Sequence, residues 1–346
     1  MARAGAAEAT AAEMDAVLHL DDPEGIHHAL NGLTRALEAR SGTVEVNGEP
    51  VELELSIANA VWGQETLTWQ EAFLDVLARE YGAGVQLTDF AADPEAARVA
   101  VNSWVEEETR GRIPDLIAPG MVDVLTRMIL VNAVYLKAPW AAPFIPEATR
   151  PALFHLLDGS TVEVPFMAQD EAMAYAAGEG WQAVELPYAG DALAMLVLLP
   201  DEGALATVES ELAGGLIDQA AGALAPTDVV LELPKWDIET RVELSTILAA
   251  LGMPTAFTDQ ADFTGMTTDE QLLIGFVIHQ ANITVDEAGT EAAAATAVGI
   301  DTTAAPAEEP EPILLTVDRP FLYALRDRET GAVLFLGRVT SPAAGA

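Results

Sequence analysis

Cysteine is missing from all 346 residues, which excludes disulfides, thiolate catalysis and Cys-ligated metal. Lysine is nearly missing. Lys137 and Lys235 are the only two, and with the arginines they make 16 basic residues against 55 acidic ones, a formal charge of −39. Such a surface repels nucleic-acid phosphates and anionic lipids, so neither nucleic acid nor membrane is expected as a partner. The acidic residues are spread along the chain, which we read as adaptation to a salty medium where screening relaxes self-repulsion. The alternative is an ordinary acidic protein of alanine-rich, lysine-poor background, for which stability at low and high salt is equal. Although 51% of the residues are apolar, no unbroken apolar window approaches the length of about 18 that a membrane helix needs. The N-terminal residues lack the basic-then-apolar order of a secretory leader, and the compartment stays open.

Catalytic and cofactor motifs are absent as well: there is no Walker loop, no G-x-G-x-x-G turn, no G-x-S-x-G elbow and no H-E-x-x-H. The histidines are His19, His27, His28, His155 and His279. His27 and His28 are adjacent, so their side chains diverge on a helix and a shared metal is not expected. Carboxylates are too plentiful for any acid–base pair to stand out. No cofactor, no metal and no enzymatic activity are expected.

What is present is a regular order of elements. Residues 8–19 and 23–40 carry helical patterning, the second with Leu30, Leu33 and Leu37 on one face. A strand is expected over 51–61, then a helix opened by Thr68 with Glu71 three residues on, a capping box, and closed by Gly82 and Gly84. Pro94 opens another helix running to Gly111. The apolar run 128–135 suits a strand covered on both faces. Strands are expected over 152–156 and 162–166, turned by Asp158-Gly159, and over 181–187, 193–199, 229–236 and 276–285. A helix is expected over 241–251, and strands over 313–315, 321–326 and 333–339. Helices dominate the first third and strands the rest, so the class is α+β with mostly antiparallel sheets, in a single domain over 1–346.

One segment does not fit. Residues 286–312 form a stretch of about 27 residues without a core pattern between two strands, and loops of that length inside a compact domain are usually functional.

Blocks in a consistent order give the chain a family resemblance. They include Ser56–Trp62 (SIANAVW), Asn102-Ser103-Trp104-Val105, Leu130-Val131-Asn132-Ala133 through Lys137 and Trp140, Val164-Pro165-Phe166-Met167, and Leu186-Pro187-Tyr188. Leu233-Pro234-Lys235-Trp236, Asp262-Phe263-Thr264-Gly265-Met266, His279-Gln280-Ala281, Asp318-Arg319-Pro320-Phe321 and Leu334–Val339 (LFLGRV) complete the set. In this order they resemble the serpins. The resemblance implies helices packed around three mostly antiparallel β-sheets, with 286–312 as an exposed reactive-centre loop. Residues 4–20 resemble a block that normally lies well inside the chain, so the family's first helix, its first short strand and most of its second helix are expected to be missing here, through a misassigned start or a fragment, with a truly shortened protein as the alternative.

The resemblance also implies a function: suicide inhibition of a serine-type endopeptidase. The target attacks the loop, an acyl-enzyme forms, and the severed loop enters the main sheet as an added strand. Residues 286–298 resemble the inhibitory hinge, which comprises Glu287, Gly289, Thr290, Glu291, Ala292, Ala293, Ala294, Ala295 and Thr296. An entering strand turns alternate side chains inward, and Thr290, Ala292, Ala294 and Thr296 are small and uncharged. Glu291 falls outward, and Gly289 bends freely as the strand enters. The run E-A-A-A-A-T-A is also a good helix sequence, but Gly289 before it and the strand ending at Val285 favour the hinge.

The resemblance puts the reactive bond at Thr303-Ala304, within 302–307. The small neighbours there suit an elastase-like or subtilisin-like target, and the absence of Arg and Lys from 288 to 318 argues against a trypsin-like one. Asn132, Trp140 and His279 resemble positions near the sheet's opening, where a buried polar residue holds the sheet closed; for His279 plain core packing is the other reading. The expected partner is the target protease in a covalent complex, with the inhibitor itself a monomer. The alternatives are a non-inhibitory carrier, chaperone or storage serpin, or an inhibitor of cysteine proteases.

Overall fold

The computed structural model describes residues 1–291 and 311–343. Its helices are α1 (Glu8–Val17), α2 (Ile26–Glu38), α3 (Glu71–Tyr81), α4 (Pro94–Glu108), α5 (Leu205–Glu211), α6 (Leu216–Ala223) and α7 (Ser245–Leu251). The first strands are β1 (Gly42–Val46), β2 (Glu49–Gln64), β3 (Val85–Thr88), β4 (Met128–Pro139), β5 (Arg150–His155), β6 (Thr161–Gly178), β7 (Trp181–Pro187) and β8 (Leu193–Pro200). They are followed by β9 (Ala225–Pro234), β10 (Trp236–Glu243), β11 (Ile278–Val285), β12 (Gly289–Thr290), β13 (Ile313–Thr316), β14 (Phe321–Asp327) and β15 (Val333–Val339).

Two sheets result. The first has the order β1-β2-β4-β12-β11-β10, with β3 on β2; the second runs β13-β9-β6-β7-β8-β14-β15, with β5 on β6. The family resemblance counts the second network as two sheets. They join here because β6, 18 residues long, pairs with β5 over 161–166, with β9 over 166–175 and with β7 over 174–178. Most pairings are antiparallel; β13–β9 and β2–β3 are parallel.

Contacts group the chain into two compact units, each assembled from three stretches of sequence. The first comprises Met1–Ala39, Leu55–Tyr135 and Glu239–Asn282. In it α4 begins where expected: the Asp93 side chain accepts from the Ala96 N–H at 3.0 Å and Pro94 fills the first turn, where its missing N–H costs nothing. Val101 and Val105 of α4 are buried against Ile129, Val131 and Ala133 of β4, with Phe276 and Ile278 packed alongside. Burying each such side chain contributes roughly 1.5–3 kcal/mol. A second cluster joins Met14 of α1 to Val61 of β2, Phe73 and Leu77 of α3, and Phe263.

Several expectations need correcting in this unit. The Thr68–Glu71 capping box does not form. Helix α3 starts at Glu71 with Gln70 as its cap, because the Thr68 N–H donates to Asp269 at 2.7 Å and its carbonyl accepts from Thr267 at 2.8 Å. Gly82 does end the helix, in the left-handed conformation with φ 58°. Of the expected stripe on α2 only Leu37 is buried, and Leu30 is exposed. Over 128–135 one face of β4 is buried and the other only partly covered, with Asn132 exposed. The expected helix over 241–251 is shortened because β10 runs on to Glu243, whose side chain accepts from the Ser245 N–H at 2.9 Å.

The second unit comprises Arg40–Glu54, Leu136–Ile238 and Ile283–Ala346. Every residue of β8 is buried. Helices α5 and α6 bury Val208, Leu216 and Ala220 with Ala183, Leu196, Leu198, Leu322 and Ala324 of β7, β8 and β14. The expected single strand over 229–236 is interrupted at Lys235, whose N–H bonds the Pro165 carbonyl at 3.0 Å. Asp158-Gly159 turns β5 into β6, with the Asp158 carboxylate accepting from Ser160.

Candidate functional site

At the end of β11 the chain reverses in a tight turn. The Asp286 carboxylate accepts from the Ala288 N–H at 2.8 Å and the Gly289 N–H at 3.3 Å, and the Asp286 N–H bonds the Gly289 carbonyl. An Asp that caps its own turn in this way needs no distant partner. The chain then starts back as β12, antiparallel to both neighbours: Thr290 pairs with Val285 on one side and with Ala138 on the other, and Gly289 pairs with Pro139. The base of the long segment is therefore already a strand inserted between β4 and β11.

Gly289 is required here for a reason the sequence did not show. A Cβ on it would lie 2.2 Å from the Ala138 carbonyl oxygen and 2.7 Å from the Pro139 Cα, and its φ is 150°. Close approach to a neighbouring backbone, rather than free bending, demands glycine. Thr290 points inward and is 3% exposed, with its hydroxyl 2.6 Å from the Tyr188 phenol. Tyr188 is fully buried, and burial pushes its phenol well above the ordinary value, so it stays neutral; the Thr290 bond opposes that rise only in part.

Trp140 organises the turn. Its ring stacks on Tyr188 at 4.5 Å and 9°, its indole N–H donates to the Asp286 carbonyl at 2.9 Å, and its backbone N–H donates to the Ala288 carbonyl at 2.9 Å. Glu287 is gripped from three sides: Lys235 at 2.6 Å, the Thr149 hydroxyl at 2.7 Å, and the Phe144 N–H on its carbonyl at 2.9 Å. Burial pushes the Glu287 carboxyl up, but the hydrogen bonds from Lys235 and Thr149 and the Lys235 charge outweigh it, so its pKa lies below the usual value. Glu291 is half-buried and left-handed, with φ 54°.

Thus Glu287, Gly289, Thr290 and Trp140 come together, with Glu291 at the edge. Ala292, Ala293, Ala294, Ala295, Thr296, Thr303 and Ala304 lie outside the described residues. Asn132 and His279 belong to the first unit. Asn132 is exposed and donates to Asn59 at 3.0 Å; His279 is also exposed, so the expectation of buried polar groups there is corrected for both. Both lie on the sheet face opposite the α4 cluster, which takes up the alternate residues Val131, Ala133 and Ile278. Tyr188, Thr149, Asp286 and Lys235 were not singled out as site residues. For Lys235 a signal existed, since a chain that keeps only two lysines places them selectively.

This α+β architecture has close counterparts. The family model described as Serpin (serine protease inhibitor) matches residues 1–342. A serpin-like protein of Thermococcus kodakarensis is 38% identical over 346 residues, covering 100% of this chain and 78% of its own. Leukocyte elastase inhibitor of Sus scrofa is 35% identical over 343 residues, covering 96% of this chain and 87% of its own. Human thyroxine-binding globulin superposes with a TM-score of 0.85 at 29% identity, covering 99% of this chain and 88% of its own. The chain belongs to the serpin family.

Proposed function

We propose that the protein is a single-use inhibitor of a serine-type endopeptidase, probing elastase-like or subtilisin-like enzymes with a bait at Thr303-Ala304. The observation that carries this reading is β12: Gly289 and Thr290 already occupy the first two rungs of a strand between β4 and β11. The residues that would follow them, Ala292 to Thr296, are small and uncharged at every inward position. Extending the strand by about ten residues adds on the order of ten ladder hydrogen bonds of roughly 1 kcal/mol each. The uncleaved form is then a kinetically held state with a more stable form within reach. Once the target has formed its acyl-enzyme, insertion carries it away from the loop's starting point and distorts its active site before hydrolysis finishes. No turnover of the inhibitor follows.

The interleaving of each unit from three chain segments supports a single folding domain over 1–346. The acidic surface supports activity in salty surroundings and a monomer that avoids nucleic acid and lipid. A second reading is kept by one observation: a thyroxine-binding protein shares the fold closely, so the same scaffold also suits a carrier.

Incubation of the full chain with elastase and subtilisin, followed by a denaturing gel, separates the two. The inhibitor gives an SDS-resistant complex, and loop-nicked protein melts at higher temperature. Clean cleavage with no complex and an unchanged melting temperature selects the carrier.

A further inference from the structure

We infer that Asn282 is a clasp that holds helix α4 and its trailing segment on the sheet until a strand enters, and so sets the rate of loop uptake; the inference rests on the inhibitory reading above. Helix α4 lies across both β4 and the start of β11, with Val101 and Val105 in one cluster with Ile129, Val131, Ala133, Phe276 and Ile278. A strand entering between β4 and β11 widens this floor, so α4 must shift off one strand or the other. Apolar contacts are non-directional and let a helix slide. A hydrogen bond has a preferred direction and does not.

Helix and trailing segment are joined into one piece. Asn102 bonds both the N–H and the carbonyl of Ile117 at 2.8 and 2.9 Å, Arg98 adds a bond to the same carbonyl at 2.8 Å, and the Thr109 hydroxyl accepts from the Ile113 N–H at 3.1 Å. Onto that piece Asn282 of β11 donates from Nδ2 to the Arg112 carbonyl at 2.7 Å. Asn282 lies two residues from Gln280 and four from Ile278, on the face of β11 that α4 covers. The other half of the Asn282 amide is spent at a loss, since its Oδ1 is buried without a hydrogen-bond partner. An orphaned acceptor weakens the net hold of the residue. The clasp is therefore directional enough to keep α4 in place and weak enough to open.

The test is uptake of a synthetic peptide with the sequence of residues 291–302, which starts beyond the rung that Thr290 already fills, by the uncleaved full chain, followed by stopped-flow tryptophan fluorescence. Asn282→Ala, and Asn282→Leu as a near-isostere should the alanine variant fold poorly, are expected to take up the peptide roughly fivefold faster. Asn282→Gln, which keeps the amide donor, is expected to return toward the wild-type rate. The urea midpoint of the free variants falls while that of their peptide-loaded forms matches wild type, because the bond is already open there. Uptake by wild type and by Asn282→Leu at one rate overturns the clasp alone, as does an equal fall of both midpoints. Failure of wild type to take up the peptide overturns the inhibitory reading, and the clasp with it.

Discussion

The hydroxyls of Tyr188 and Thr290 lie 2.6 Å apart in an interior that neither shares with solvent, so Thr290 is latched in the folded protein. Tyr188→Phe keeps the stack on Trp140 and removes the latch. It is expected to destabilise the uncleaved protein by about 1–2 kcal/mol, the cost of leaving the Thr290 hydroxyl buried without a partner. Chemical unfolding before and after loop cleavage measures it.

Thr290→Arg places a long charged side chain where 3% of the residue is exposed. Burying that charge costs several kcal/mol, which stalls insertion at its first step. The variant is expected to be cut by a cognate protease faster than it traps it. The measure is the ratio of nicked inhibitor to SDS-resistant complex, and an unchanged ratio would count against insertion.

Gly289→Ala is expected to expel β12 from the ladder, because the added carbon meets the Ala138 carbonyl at 2.2 Å. The two rungs return roughly 1 kcal/mol per hydrogen bond, and strained backbone alone costs about 1–3 kcal/mol before the clash with the Ala138 carbonyl is added. Hydrogen exchange at residues 285–290 and 138–140 should accelerate, with the rest of the protein unaltered.

The Glu287–Lys235 pair predicts a pH dependence. Glu287 has a folded pKa below its ordinary 4.5, so its contribution is complete above about that pH and is lost as pH falls through the lower folded value. Lys235→Met is therefore expected to be less stable than wild type at pH 7 and to converge with it in strong acid. Thermal melts of both proteins from pH 7 to pH 3 check this; parallel curves would show that Lys235 does not act through Glu287.

Asn132 and Trp140 are expected to differ sharply. Asn132→Ala removes an exposed bond to Asn59 and should shift stability by less than about 0.5 kcal/mol. Trp140→Phe loses the bond to Asp286 and part of the Tyr188 stack, and is expected to cost about 2 kcal/mol. Urea midpoints compare them directly.

Much of the architecture was legible because it is written locally. Pro94 opens α4, Gly82 ends α3, and short apolar runs mark β14 and β15. Where local rules competed with distant partners they lost. Thr68 has the chemistry of a cap, but Asp269 and Thr267 claim its backbone. Residues 241–243 read as helix, yet they extend β10. Gly289 stood out in the sequence, but the physical reason for a glycine there did not. Its neighbour is the Ala138 carbonyl, which no pattern around residue 289 announces.

By itself the sequence determined most of the order of helices and strands, since periodicity and caps depend on spacing along the chain, while residues 292–310, where an entering strand is expected, lie outside the described residues. Only the tertiary structure decided which groups hold residues 287–290 and which polar residues stay outside. Thr290 meets Tyr188 across 102 residues and Glu287 meets Lys235 across 52, while Asn132 and His279 sit on an open face. The physical reason is one of range: periodicity and capping act over a few residues, whereas burial and hydrogen bonding are settled by whichever segment the fold brings alongside.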